Sequence, residues 1–227
     1  MRLGVDDIIK VRPSEKHHFQ AYIFDLPTLM GMLAKNSHAE LSKNEISQEV
    51  LDVFPLYLEL IRKTKRRWLI GKLSEQDHPY DVFMAPEEYV VKNGRRVHIQ
   101  ASSFVQTKRI QTHPREALTK EVWQSRIQST IDKYVARQRP SIAGLLHFYC
   151  PMDFAEPLND RDMADIFRAL SVSLPQELDG ITISYKVLDT LDNTQTVRTW
   201  IIHPQVIPLG TVNVSLSEVR HLYKASG

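Results

Sequence analysis

Apolar residues along this chain change their spacing several times, and each change marks a new element. His18-Phe19-Gln20-Ala21-Tyr22-Ile23-Phe24 favours a strand, and Asp25 then caps a short helix through Leu33 with Pro27 in its first turn. Ser42-Lys43-Asn44-Glu45 has the form of a capping box, whose hydroxyl and carboxylate satisfy free backbone N–H groups, so a helix is expected from there. Ile46, Val50, Val53, Tyr57, Leu60 and Ile61 continue it as one apolar stripe, which Pro55 is expected to kink or split. Arg67 to Leu73 and Tyr80 to Met84 read as strands. Tyr89-Val90-Val91 and Arg96-Val97-His98-Ile99-Gln100 flank Lys92-Asn93-Gly94-Arg95, and Asn-Gly favours a hairpin because both turn positions take positive φ.

His113-Pro114 opens a long helix, in which Leu118, Val122, Ile127, Ile131 and Val135 carry an apolar face to about Gln138. Ser141 to Cys150 is nearly continuously apolar and of strand length, as a buried central strand requires. After a loop from Pro151 to Asn159, Asp160 caps a helix bearing Met163, Ile166, Phe167 and Leu170. Gly180 to Leu188 and Val197 to His203 read as two strands paired across Asp192-Asn193, and a short helix from Ser215 to Lys224 follows. The expected architecture is α/β, with α+β as the alternative: a mixed central sheet flanked by helices, in one domain over residues 1–227. Within it 1–41 is a lead-in layer, 42–150 the core and 151–227 an extension of helix and strands.

Composition supports a packed core. At 227 residues, 42% hydrophobic and 25% charged, the chain has no low-complexity tract, and a fold of this size buries roughly 70% of the unfolded surface. No apolar run reaches the length of a membrane span, and residues 1–10 lack the pattern of a signal peptide, so a cytoplasmic protein without membrane contact is expected. The single Cys150 lies in an apolar run and reads as a buried structural thiol.

A net charge of +2 does not announce a nucleic-acid binder, so local clusters matter more. Arg62, Lys63, Lys65, Arg66 and Arg67 form one run, Lys92, Arg95 and Arg96 surround the hairpin turn, and Lys108, Arg109 and Arg115 precede the long helix. These are either solvated element ends or a stripe contacting phosphates, with Lys65, Arg66, Arg67, Arg95, Arg96, Lys108 and Arg109 as its members. The histidines are scattered without zinc-ligand spacing, and His147 reads as a core residue. Neither the glycine-rich phosphate loops nor a G-x-S-x-G nucleophile turn occurs.

In its order of helix, three strands, helix and strand, the segment from Ser42 to Cys150 resembles the core of the PD-(D/E)XK, or restriction-endonuclease-like, superfamily. The resemblance is topological and covers about half the chain. It implies an acid at the start of the second strand and an acid-x-lysine on the third, holding a divalent metal and positioning the attacking water. On that basis Asp81 of His78-Pro79-Tyr80-Asp81 is the first acid. Gln100-Ala101-Ser102 occupies the second motif, with Gln100 matching the family's glutamine-containing variants. Glu59, or alternatively Glu49, is the acid of the first helix. Ser102 stands where the lysine belongs, which leaves Lys108 or Lys92 as displaced cations. The implied activity is a Mg²⁺- or Mn²⁺-dependent DNA or RNA endonuclease of a defence or mobile-element system, with a homodimer as one assembly. The alternative is a non-catalytic module that binds nucleic acid or a protein partner and needs no cofactor.

Overall fold

The computed structural model describes residues 8–14, 17–24, 48–73, 80–93, 96–99, 103–110, 119–137, 144–150, 160–170, 178–189 and 195–214, together with 217, 221 and 224. Its elements are β1 (Ile8–Ser14), β2 (His17–Phe24), α1 (Gln48–Thr64), β3 (Trp68–Leu73), β4 (Val82–Pro86), a 3-10 turn (Glu87–Tyr89), β5 (Val90–Asn93), β6 (Arg96–Ile99), β7 (Ser103–Arg109), α2 (Lys120–Arg137), β8 (Gly144–Cys150), α3 (Asp160–Arg168), β9 (Leu178–Asp189), β10 (Gln195–His203) and β11 (Ile207–Val214). Nine strands make one sheet in the order β1-β2-β3-β4-β7-β8-β9-β10-β11, while β5 and β6 pair only with each other. The β7–β8 and β8–β9 pairings are parallel, and every other pairing in the sheet is antiparallel. The class is therefore α/β with a mixed central sheet flanked by helices.

Two apolar clusters occupy opposite faces of this sheet. Val50, Val53, Phe54, Tyr57, Leu58 and Ile61 of α1 pack on Ile70, Val82, Met84, Val105 and Val197. Burying each of these large α1 side chains contributes roughly 1.5–3 kcal/mol. α1 touches β3 and β4 as well as β10 and β11, so the sheet curls around it. On the other face Trp123, Ile127, Ile131 and Tyr134 of α2 and Met163, Ile166 and Phe167 of α3 cover Leu146, Phe148, Cys150, Ile181, Ile183 and Trp200. Alternation along β8 separates these sets, with Leu146 and Phe148 turned to α2 and Leu145 and Tyr149 to α1.

Several elements depart from the expectations. α1 runs unbroken through Pro55, which is buried, so the proline does not split the helix. The helix stops where Lys65 takes φ 55 and its N–H bonds the Ile61 carbonyl at 2.9 Å, a left-handed cap. The Asn-Gly hairpin forms as β5 and β6, but it stands outside the large sheet. The strand that pairs with β4 is β7, at Ser103–Arg109. β1 and β11 were not expected: Pro208 and Gly210 interrupt the pattern of β11, and a strand tolerates them because it is an edge. The capping box at 42–45, the Asp25 helix and the 151–159 loop lie outside the described residues. Ser217, His221 and Lys224 are helical, as expected of that segment. No helix among the described residues is long and apolar enough to cross a membrane.

Candidate metal and phosphate centre

Asp81 directly precedes β4. The register pairs Val82 with Val105 and Phe83 with Phe104, and Asp81 stands one residue before this ladder, where β7 continues into Gln106 and Thr107. The Asp81 N–H donates to the Val105 carbonyl at 3.0 Å, one residue out of that register. Lys108, two positions beyond Gln106, shares its face of β7, the side of α2, since the two pair with Phe148 and Leu146. The fold thus brings together an acid before one strand and Gln106-Thr107-Lys108 on the next.

The Asp81 carboxylate is held firmly. Oδ2 accepts the Thr107 backbone N–H at 2.7 Å and the Thr107 hydroxyl at 3.3 Å. Burial raises its pKa above the ordinary carboxylate value, the Thr107 N–H and the Lys108 charge pull it down, and the Glu49 charge pushes it up. Glu49, in the first turn of α1, is therefore the second carboxylate within electrostatic reach. On the α2 side, burial and then the Asp81 charge push the Tyr134 phenol up to about 12.

Gln106 is only 3% exposed, and among the described residues its Oε1 has no hydrogen-bond partner. Leaving a buried carbonyl oxygen unpaired costs about 1–3 kcal/mol. Such an orphan, next in sequence to the Thr107 that holds a carboxylate and two residues from a lysine, is the donor atom a bound cation would satisfy. Among the described residues no group of three His, Cys, Asp or Glu side chains is placed to hold a metal ion. The candidate donors are the Asp81 carboxylate and the neutral Gln106 Oε1, while Glu49 belongs to α1, which packs on the opposite face of the sheet from Gln106.

Beneath the centre a second network joins α1 to the sheet. Arg109 Nε donates to Asp52 Oδ1 and Oδ2 at 2.9 and 2.8 Å, and Nη2 donates to Oδ1 at 2.7 Å. The guanidinium lies 5.6 Å from the centroid of the Tyr149 ring. Burial raises the Asp52 carboxyl while the Arg109 contacts oppose the rise. His147, fully buried, approaches the Asp52 carbonyl through Nε2 at 3.0 Å and the Thr182 hydroxyl through Nδ1 at 2.8 Å. A carbonyl only accepts, so Nε2 carries the proton and Thr182 donates to Nδ1. Burial holds this imidazole neutral, with its pKa lowered to about 4. It is a core histidine, as its sequence context implied.

Several expected site residues fall elsewhere. Glu59 lies about three turns along α1 from Glu49, where Arg62 clamps it with Nε at 3.0 Å and Nη2 at 2.6 Å. Its carboxylate packs against Gly210 of β11, so it does not join Asp81. Gln100 and Ser102 lie outside the described residues. The strand to which they were assigned, β6, pairs with β5 and not with β4. Lys65, Arg66 and Arg67 follow the C-terminal end of α1, and a helix of this length puts them about 25 Å from Glu49. Arg66 there pairs with Glu88 at 3.2 Å. Arg95 is outside the described residues, and of Arg96 only the backbone is described. Lys108 is the cation whose charge reaches Asp81, and Arg109 is engaged by Asp52 on the α1 side.

The residues that the sequence reading passed over are Gln106 as a ligand, Tyr134, and the Asp52–Arg109 pair. The signal for Gln106 was present: Ser103-Phe104-Val105-Gln106-Thr107-Lys108 is a β-favouring run carrying a Gln-x-Lys spacing. No protein-family model, curated protein or solved structure matches the chain.

Proposed function

We propose that this protein is a divalent-metal-dependent nucleic-acid endonuclease with a restriction-endonuclease-like core. The observation that carries the reading is the Asp81 carboxylate bonded to Thr107, the residue between Gln106 and Lys108 on β7. The order α1-β3-β4-β7-α2-β8, with β7 parallel to β8, supports it further. Asp81 and Gln106 would hold the ion. When bound, Mg²⁺ or Mn²⁺ polarises the phosphate and lowers the pKa of a water molecule. Lys108 keeps a cation beside Asp81, where it can orient an attacking water or neutralise charge growing on the phosphate. Thr107 fixes the Asp81 carboxylate through two hydrogen bonds, so the ligand is preorganised.

A non-catalytic nucleic-acid-binding module is the second reading, favoured by the neutral Gln106 where an acid is usual. The two are separated by incubating duplex and single-stranded DNA and RNA with Mg²⁺ or Mn²⁺, using wild type, Asp81→Asn and Lys108→Ala. Metal-dependent cleavage lost in both variants is the expected result. Cleavage that persists in Asp81→Asn removes this centre from consideration.

A further inference from the structure

Two buried polar atoms on the α2 side of the sheet have no hydrogen-bond partner among the described residues: Gln106 Oε1 and the Tyr134 hydroxyl. Their residues are only 3% and 4% exposed. A phenol can donate and accept while an amide oxygen accepts, so a direct bond between the two would satisfy both, and it is not made. Each orphan is costly unless a further group bonds it.

Topology brings the phenol toward the centre. α2 joins the parallel neighbours β7 and β8, so it returns along β7 in the opposite direction. Its Ser129 and Lys133 share a groove with Arg109 and Ile110 at the end of β7. The next residue, Tyr134, turns inward to the cluster that holds Leu146 and Phe148, the β8 partners of Gln106 and Lys108. Burial and then the Asp81 charge push the phenol up to about 12, so it is neutral at ordinary pH and keeps its oxygen lone pairs as acceptors. Asp81 engages Thr107 through Oδ2, which leaves Oδ1 open among the described residues. The surroundings supply no other polar partner: Phe104, two residues before Gln106, is buried against the Tyr80 ring with centroids 5.6 Å apart, and Ile127 and Ile131 precede Tyr134 on the buried face of α2.

We propose that Tyr134 is a positioning residue of the metal centre: its oxygen accepts a hydrogen bond from a water on the cation held by Asp81 and Gln106, and so orients that water from the α2 side. A neutral phenol orients the water without competing with the carboxylate for the ion. The proposal rests on the reading of Asp81, Gln106 and Lys108 as a metal centre and adds the group that orders water there.

The test is Mn²⁺ binding by isothermal titration without nucleic acid, comparing wild type, Tyr134→Phe, Asp81→Asn and Tyr185→Phe. Tyr185→Phe is the control, because it removes a phenol of the same cluster that accepts the Trp200 Nε1 proton at 3.1 Å. Phenylalanine keeps the ring in each case, so only the hydroxyl is lost. Removing a hydrogen bond to a metal's ligand lowers affinity about tenfold or more, a fall expected in Tyr134→Phe and absent in Tyr185→Phe. In chelator Tyr134→Phe should unfold at the wild-type temperature or above, since the lost hydroxyl has no partner there. Added Mn²⁺ should then raise its midpoint less than that of wild type. Tb³⁺ supplies a spectroscopic signature: emission excited through tyrosine should drop in Tyr134→Phe and persist in Tyr185→Phe, and equal emission in the two overturns the placement. Wild-type Mn²⁺ affinity in Tyr134→Phe, with binding lost in Asp81→Asn, overturns the role of Tyr134 and leaves the centre standing. Mn²⁺ binding that survives Asp81→Asn, or no binding by wild type, overturns the centre and the role with it.

Discussion

Asp81 accepts the backbone N–H of Thr107 at 2.7 Å, a bond that ties the residue before β4 to the middle of the Gln106-Thr107-Lys108 triplet. Because the donor is backbone, the contact fixes strand register as well as carboxylate orientation. A slip by one residue would turn Gln106 and Lys108 to the opposite face. The acid, the amide and the ammonium are therefore set relative to one another by the β4–β7 ladder itself.

Asp81→Asn separates activity from stability. The carboxylate is raised by burial, so its charged form is disfavoured in the fold, while an amide oxygen can still accept the Thr107 N–H. Metal-dependent cleavage should fall by about 100-fold or more, equivalent to roughly 3 kcal/mol of lost stabilisation. The urea midpoint should stay level or rise. A marked loss of stability would give Asp81 a structural role instead.

Asp81 also sets a pH dependence. Its raised pKa means that metal binding and cleavage are complete above that value and decline as pH falls through it, as the carboxylate takes up a proton. Thr107→Val removes the hydroxyl contact while the backbone N–H remains, so the acidic limb of the rate profile should move to higher pH. An unmoved limb would assign it to another group.

Gln106→Glu supplies the acid that this position lacks. In isothermal titration without nucleic acid, Mn²⁺ should bind roughly tenfold more tightly, as a charged oxygen replaces a neutral one. Without metal the variant should lose about 1–2 kcal/mol, because a buried carboxylate has been added next to Asp81. Added Mn²⁺ should restore more stability to it than to wild type. Equal Mn²⁺ affinity in the two proteins would show that Gln106 faces no ion.

His147 makes the fold acid-sensitive. Its pKa is lowered to about 4 in the fold from 6.5, so the unfolded chain binds the extra proton between those values. Stability from this residue is complete above pH 6.5 and is lost as pH falls toward about 4, by roughly 3 kcal/mol in total. Unfolding midpoints measured across that interval should decline in wild type and decline less in His147→Leu. The latter is weaker at neutral pH because the Asp52 carbonyl and Thr182 hydroxyl lose their partner.

Asp52→Ala leaves a partly buried guanidinium without its carboxylate. Arg109 is about a third exposed, so the cost should be near 2 kcal/mol rather than the full penalty of a buried pair. Because Arg109 adjoins Lys108, cleavage should also fall. Arg109→Lys keeps the charge but loses the two-pronged contact and should recover little of either. Unfolding curves that overlay wild type would show that the pair contributes nothing to the fold.

Local chemistry made much of the architecture legible. Apolar periodicity marked α1, α2 and α3, the Asn-Gly turn marked β5 and β6, and the apolar run marked β8, because each depends on nearest neighbours along the chain. β7 escaped notice for a physical reason. Gln106, Thr107 and Lys108 look like a polar loop until β8 pairs along them and the Asp81 carboxylate accepts the Thr107 N–H. The same misreading moved the expected third strand to the hairpin and the expected glutamine to Gln100.

The sequence by itself determined the α/β class, the early position of Asp81 before a strand, the buried character of His147 and Cys150, and the presence of acids on the first helix. The tertiary structure alone decided which of them meet. Strand pairing brought Thr107, between Gln106 and Lys108, against the Asp81 carboxylate, and helix docking carried Glu59 to β11, where Arg62 holds it. Convergence of this kind depends on register and packing between segments distant in sequence, which the local period of hydrophobic residues does not encode.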